Sequence, residues 1–453
     1  MSISQIIRLV FLIPLYFILI NSTNFIVAQD ISGFLRNYNA LLTTSPNEYL
    51  VGRNRLRADI SFNTDYGNIF ISNEILNSYT SSANNIEYNF REGYLDVYFD
   101  KSDLRIGKQI ISQGRTSGTF ITDIISPLDL SEFLTLQVED LKGSIPAIKY
   151  TRYFGSNFLE AVATPVFQSN TLAKPGSRWF PFKELEKSTE VVYADSSQEN
   201  SYRSFQGMLK FGIRKSLKWD LDLFVMWWTQ GNPAYEKDLI LTGPFGLTDP
   251  ALQLSKTYLK SPIIAYSGNY VLNENLIIKS ESAFHFKKHF DYLPELATQS
   301  NLNSLTPTEQ QQLALLFSQN EDGFLFEKPW LISMIGIKTS LSGFEIESQF
   351  LLEHVFEYDN RILQQQDFYY STLSFQKTLM RNKLRLSGFG RFNYVGNDFW
   401  VNPQASYDVK DGLETSLGFH FFGGESSERF YGHFNFNDYA ASSFGYIKLT
   451  AYF

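Results

Sequence analysis

Strict two-residue periodicity is the feature that most restricts what this chain can fold into. Residues 53 to 62 place Arg53, Arg55, Arg57, Asp59 and Ser61 on one face and Asn54, Leu56, Ala58, Ile60 and Phe62 on the other. Residues 383 to 394 repeat the pattern, with Lys383, Arg385, Ser387, Arg391 and Asn393 against Leu384, Leu386, Gly388, Phe392 and Tyr394. Side chains alternate across a pleated strand, so each segment has one ionic and one greasy face. A soluble β-sandwich also alternates, with the greasy face as core and the ionic face as surface. Three features favour a barrel in lipid. The segments run on the order of ten to twelve residues, longer than the ~5–6 usual in soluble sheets and close to the ~9–11 that cross a bilayer at a tilt. Connections alternate short and long, as when one rim of a barrel is trimmed and the other elaborated. Trp219 and Trp227 bound the apolar face Leu221, Leu223 and Val225, opposite Asp220 and Asp222, as an aromatic girdle does at each edge of the hydrocarbon.

Eighteen segments carry this pattern, from 32–42 and 51–62 at one end to 413–422 and 443–453 at the other, and sixteen strands is the alternative count. The predicted fold is all-β: a transmembrane, antiparallel, up-and-down β-barrel of about 18 strands. Tight connections such as Asp65-Tyr66-Gly67, Gly155-Ser156, Ser342-Gly343 and Lys410-Asp411-Gly412 fall between an even strand and the next odd one. With both termini in the periplasm, short turns lie inside and long loops outside. Residues 430 to 437 alternate weakly; a strand there would make nineteen and send Phe453 to the cell exterior, so 423–442 is read as a loop. Residues 296–330, with Gln310 to Leu316, read as an outer loop carrying a short helix.

Ahead of the barrel, Arg8 is the sole charge before Asp30, and the uncharged run Leu9–Ile20 leads through Asn21, Ser22 and Thr23 to Val27-Ala28-Gln29. That order fits a secretory signal peptide over residues 1–28, with cleavage expected after Ala28 and the barrel occupying 29–453. No plug domain of the kind a TonB-coupled receptor carries fits before residue 51. The formal charge of -8 argues against a nucleic-acid partner, which would need clustered cations. The absence of cysteine excludes disulfide frameworks, thiol nucleophiles and thiolate metal sites, and no cofactor is expected.

Charges must face inward in a hydrocarbon solvent, so the polar faces map the wall of the lumen that closing about eighteen strands leaves. Bases lie at Arg53, Arg55, Arg57, Arg105, Lys279, Lys383, Arg385, Arg391 and Lys448, and acids at Asp59, Glu92, Asp96, Asp220, Asp222, Glu281, Glu345, Glu347, Glu353 and Glu414. The basic group sits on the second and the fifteenth to eighteenth strands, neighbours after closure. The acids concentrate on the ninth and thirteenth, roughly across the lumen. Residues 113–144 form the third outer connection and are the expected constriction. They carry Asp123, Asp129, Glu132, Glu139 and Asp140 against Arg115 and Lys142, and the run Ile121–Leu136 is apolar enough to fold inward. Acids on an inserted loop facing an arginine ladder would set a transverse field that selects polar solutes by orientation and size. The competing reading has the loop capping the outside with its charges solvated.

The stretch Arg105-Ile106-Gly107-Lys108-Gln109-Ile110-Ile111-Ser112-Gln113-Gly114-Arg115, followed by Gly118 to Asp123 and by Ser126-Pro127-Leu128-Asp129-Leu130, resembles the Gly-Arg-Gln…Trp-Gly…Asp stretch of Gram-negative outer-membrane porin-like families. Phe430-Tyr431-Gly432-His433-Phe434 with Asn437-Asp438 resembles their last loop. The final strand, ending in Phe453, resembles the signal that barrel-assembly machinery reads. Gln113 stands where those families have tryptophan. The resemblance implies an outer-membrane location, lipid as the surrounding partner, a lumen lined by residues that include Gln109, and passive or weakly selective diffusion of small polar solutes. The alternative class is a structural or adhesive barrel that acts through its loops.

No enzyme activity is expected. His285 and His289 would share a face only on a helix, whereas their segment alternates as a strand. Ser416 and His420, four residues apart on one strand face, are too far apart for a hydrogen bond.

Overall fold

In the computed structural model, the described residues are 28–45, 48–80, 85–133, 136–180, 190–194, 204–216, 218–242, 249–292, 306–320, 322–425 and 435–453. The expected leader therefore lies outside them except for Ala28, as does the Phe430–Phe434 run. Eighteen strands form one sheet: β1 (Ala28–Leu42), β2 (Tyr49–Thr64), β3 (Gly67–Ser78), β4 (Asn85–Phe99), β5 (Ser102–Gln109), β6 (Ile145–Phe154), β7 (Asn157–Thr164), β8 (Gln206–Ser216), β9 (Trp219–Thr229), β10 (Lys260–Asn273), β11 (Leu276–Asp291), β12 (Leu325–Leu341), β13 (Phe344–Val355), β14 (Asp367–Leu379), β15 (Leu384–Asn393), β16 (Asp398–Lys410), β17 (Leu413–Gly424) and β18 (Phe444–Tyr452). Each pairs antiparallel with its neighbours in sequence, and β18 pairs with β1 from Phe34↔Tyr452 to Leu42↔Phe444. The sheet is thus a closed, antiparallel, 18-stranded barrel with no free edge, which satisfies the backbone without help from solvent.

Side-chain burial follows the period. On β2, Arg53, Arg55 and Arg57 are buried while Leu56 is exposed. On β9, Asp222, Phe224, Met226 and Trp228 are buried while Leu223, Val225 and Trp227 are exposed, Val225 at 60%. The outward band is therefore apolar, the reverse of a sheet protein built for water, and it calls for a hydrocarbon solvent.

Strand ends depart from the periodicity where the chain has a better partner than the ladder. β5 stops at Gln109, short of the expected 112, because the Ile110 N–H turns away to donate to Glu92 Oε1 at 2.7 Å. β11 and β12 instead run on to Asp291↔Leu325. Their extension carries an outer cluster in which Tyr292 and Phe324 pack with Tyr235, Leu252, Leu254, Leu313 and Phe317. Residues 191–194, 234–242 and 249–257 supply a small three-stranded sheet there. The helix Pro307–Ser318 begins with a capping box between Thr306 and Glu309, and it lies within the expected loop 296–330.

Candidate constriction and lumen cavity

The segment between β5 and β6 touches side chains on opposite walls of the barrel, which only a chain crossing the interior can do. At its start, Arg115 is gripped at three points. Its N–H donates to Glu281 Oε2 at 2.7 Å on β11, its carbonyl accepts from Lys279 Nζ at 3.3 Å, and its guanidinium meets Asp220 at 2.7 Å and Asp222 at 2.9 Å on β9. Gly114 has φ +81°, and a Cβ there would sit 2.6 Å from Glu281 Oε1, so only glycine permits the approach. Ser117 donates to Glu347 on β13 at 3.2 Å. Gly118 lies so close to the Phe389 ring on β15 that an added Cβ would come within 2.3 Å of it.

Further along, the loop's acids meet the arginine ladder. Glu132 contacts Arg53 at 2.5 Å. Asp140 meets Arg55 and Arg57 at 2.7 Å each and Arg36 on β1 at 3.1 Å, while Glu74 on β3 pairs with Arg57 at 2.9 Å. Burial alone would raise the Asp140 carboxyl, but the guanidinia of Arg55, Arg36 and Arg57 outweigh it and hold the group below the usual aspartate range. Asp123 behaves oppositely: burial pushes it up against the pull of Lys142, its ion-pair partner within the loop, and it also accepts the Gln113 N–H at 2.9 Å.

Between these two grips lies apolar packing. Ile111, Ile121 and Ile125 are buried with Met208, Phe224, Met226, Trp228, Ile263, Met334 and Leu351 of the wall. Phe133, with φ 59°, stacks on Tyr439 at 5.0 Å and on Trp179 at 6.1 Å, and those two rings meet each other at 5.8 Å.

The other residues expected to line the pore fall into several kinds of place. Gln109 faces inward by parity but is fully covered, its amide donating to the Ala147 carbonyl at 2.9 Å, so it does not reach lumen water. Asp129 is spent on its own turn, accepting from the Ser131 N–H and hydroxyl. Arg105 pairs with Asp96 at 2.6 Å and sits over Tyr94. Arg385 pairs with Glu414 at 2.7 Å. Arg391 donates to Asn393 and lies 3.8 Å from the Tyr370 ring centre. Glu345 is on the rim, 3.3 Å from Lys338, and Glu347 pairs with Lys279 at 2.8 Å. Gln113 bridges Glu160 on β7 and Lys210 on β8 at 2.8 Å each, a job for an amide and not for an indole.

A cavity of about 700 Å³ lies between the loop and the wall of β15–β18, β1 and β2; Arg53, Arg55, Lys448 and Asp123 line it together with Trp400 and Gln404. A second, of about 460 Å³, holds Arg57 and Arg105. The two share Ser112, Glu139 and Lys142, so the loop itself separates them. His420 accepts from the Trp400 indole at 3.0 Å while Ser416 bonds Glu414 and Ser406, so the two do not form a nucleophile pair. His285 and His289 lie on strand β11, one against Trp330 and the other 3.7 Å from Glu327.

The fold is similar to that of two solved structures from Acinetobacter baumannii. OccAB1 superposes with a TM-score of 0.52 at 7% sequence identity, covering 94% of this chain and 96% of that one. OccAB3 gives 0.50 at 8% identity, covering 94% and 99%. At these identities the likeness is one of fold: a porin-like barrel. No family model matches the chain, and no curated protein does.

Proposed function

We propose that this chain is an outer-membrane channel of the porin type, passing small polar solutes by passive or weakly selective diffusion, with residues 113–144 as its constriction. The observation that carries the reading is the loop held against facing walls, leaving beside it, in place of a filled core, a cavity lined by charged, polar and aromatic side chains. An apolar outer face around a charged interior supports a lipid environment. The alternation of short and long connections supports both termini in the periplasm. Phe453, paired through its backbone with Gly33 on β1, closes the seam in the position that assembly machinery would read. The transverse field takes a sharper form than charge placement along the strands implies. The loop's acids contact the arginines directly, so the field acts at short range around each pair, beside the cavity that Arg53 and Arg55 also line.

Reconstitution into a planar bilayer tests the proposal. Stepwise conductance with swelling of liposomes in small sugars, amino acids and dicarboxylates supports it. Silence from protein that shows heat-modifiable mobility would instead favour a barrel that works as an adhesin through its outer loops.

A further inference from the structure

Glu281 grips the loop without an ion pair among the described residues. It lies on β11, fully buried, and four donors converge on it. Oε1 accepts from the Thr122 N–H at 2.9 Å and the Thr122 hydroxyl at 2.8 Å. Oε2 accepts from the Arg115 N–H at 2.7 Å and the Ser267 hydroxyl at 3.1 Å. Three of the four belong to the loop, and two are backbone amides seven residues apart. A buried carboxylate saturated by neutral donors fixes positions as well as energy, because its acceptor directions are set by the strand and both amides must come to it. The same side chain faces Gly114, the residue whose missing Cβ lets the backbone approach. Two residues before it on the same strand face, Lys279 holds the Arg115 carbonyl and Glu347 together. Strand β11 thereby takes hold of the loop where it first enters the lumen.

We infer that Glu281 is the positioning residue that sets the aperture: by clamping the Arg115 and Thr122 amides it fixes how far residues 114–122 stand from the wall of β15–β18, and hence the width left for solute. The inference rests on the channel reading above.

The test is Glu281→Gln in the full chain, which has no native cysteine and so accepts a single reporter. The substitution preserves shape, but each oxygen faces one N–H and one O–H donor, so neither orientation of the amide avoids pointing its NH₂ at a backbone N–H. Two readouts are taken: single-channel conductance without the reporter, and the rate at which a small methanethiosulfonate modifies an Ile121→Cys reporter, a loop position 1% exposed against the wall, compared with and without Glu281→Gln in that same cysteine background. Loss of the clamp is expected to speed labelling about tenfold, to roughly double the conductance and to add flicker, with Glu281→Asp intermediate because it keeps the charge but is one methylene short. Labelling and conductance both unchanged in a barrel of normal heat-modifiable mobility would overturn the inference. So would faster labelling at unchanged conductance, since the loop would then move without setting the width. A wild-type protein that never conducts sinks the channel reading instead, and the labelling rate still decides whether Glu281 holds the loop.

Discussion

One loop is fastened to two walls of opposite sign. At the β9–β13 wall the barrel supplies the acids Asp220, Asp222, Glu281 and Glu347, and the loop supplies a guanidinium, backbone N–H groups and two hydroxyls. At the β1–β2 wall the barrel supplies Arg36, Arg53, Arg55 and Arg57, and the loop supplies Glu132 and Asp140. The loop therefore carries its charges in the order the walls demand, cation first and anions later, and reversing it end for end would set like charges against like. The two fastenings also let go differently. On the first wall several neutral donors and an apolar patch share the load. On the second, one carboxylate answers three guanidinia.

That concentration makes Asp140 the place where the comparison breaks most easily. Removing one partner of a buried ionic cluster leaves the others uncompensated, at a cost of roughly 3–5 kcal/mol. Asp140→Asn is expected to release the later arm of the loop, to raise single-channel conductance about twofold and to shift the reversal potential toward anions as Arg36 opens to solution and Arg55 and Arg57 are left sharing Glu74. Bi-ionic reversal potentials measure the shift, and an unchanged value would mean that the arginines find other partners.

The apolar wall gives the next largest effect. Ile121→Ala removes a buried side chain from the cluster with Phe224, Met226 and Trp228, worth about 2–4 kcal/mol of anchoring. Amide hydrogen exchange at Thr122 should accelerate while the β9 amides keep their protection. Uniform acceleration across β9 would show that the loop and wall open as one unit.

Acid separates the two carboxylates of the loop by sign. Asp140, depressed in the folded protein, contributes stability that is present above the unfolded value near ~3.9 and is lost as pH falls through its lowered folded value. Asp123, raised, favours the folded state most below that unfolded value, and this contribution fades as pH rises through its raised folded value. Acidification from neutrality thus protonates Asp123 first and frees Lys142 without loosening the loop. The expected record is a shift of ion preference toward anions at constant conductance, then a rise in conductance only below ~3.9 as Asp140 lets go. Asp123→Asn should show the first shift already at neutral pH and lose its pH dependence.

Much of this architecture is legible in the residues alone. Periodicity places Arg53, Arg55 and Arg57 inward and Leu56 outward, counts the strands, and puts the acids of β9 and β13 across from the ladder. These are properties of parity, which a sequence carries directly. What parity cannot carry is partnership. It gives Gln109 and Glu281 the same inward direction as Arg105, yet Gln109 is fully covered and bonded to the Ala147 carbonyl while the loop gathers its amides onto Glu281. Alternation overruns the end of β5 by three residues for the same reason, since Glu92 on the adjacent strand β4 competes for the Ile110 N–H. The one local signal for the clamp is glycine at 114, within the polar run Ser112 to Thr119 that interrupts the apolar pairs Ile110-Ile111 and Phe120-Ile121.

The rim supplies the control against which these effects are judged. Glu345 shares the inward parity of Glu347 two residues away on β13, but its side chain is 60% exposed and its partner, Lys338, is 40% exposed, whereas Glu347 is buried and bonded to Lys279. Exposed pairs contribute about 0–1 kcal/mol because water screens them and both chains lose rotamer freedom by pairing. Glu345→Gln should therefore leave conductance, selectivity and loop protection where they are. Glu347→Gln should weaken the hold on Ser117 and free Lys279, with a measurable rise in flicker. Equal responses from the two would mean that charge at the wall matters regardless of contact with the loop, and the distinction between a fastening and a solvated charge would have to be abandoned.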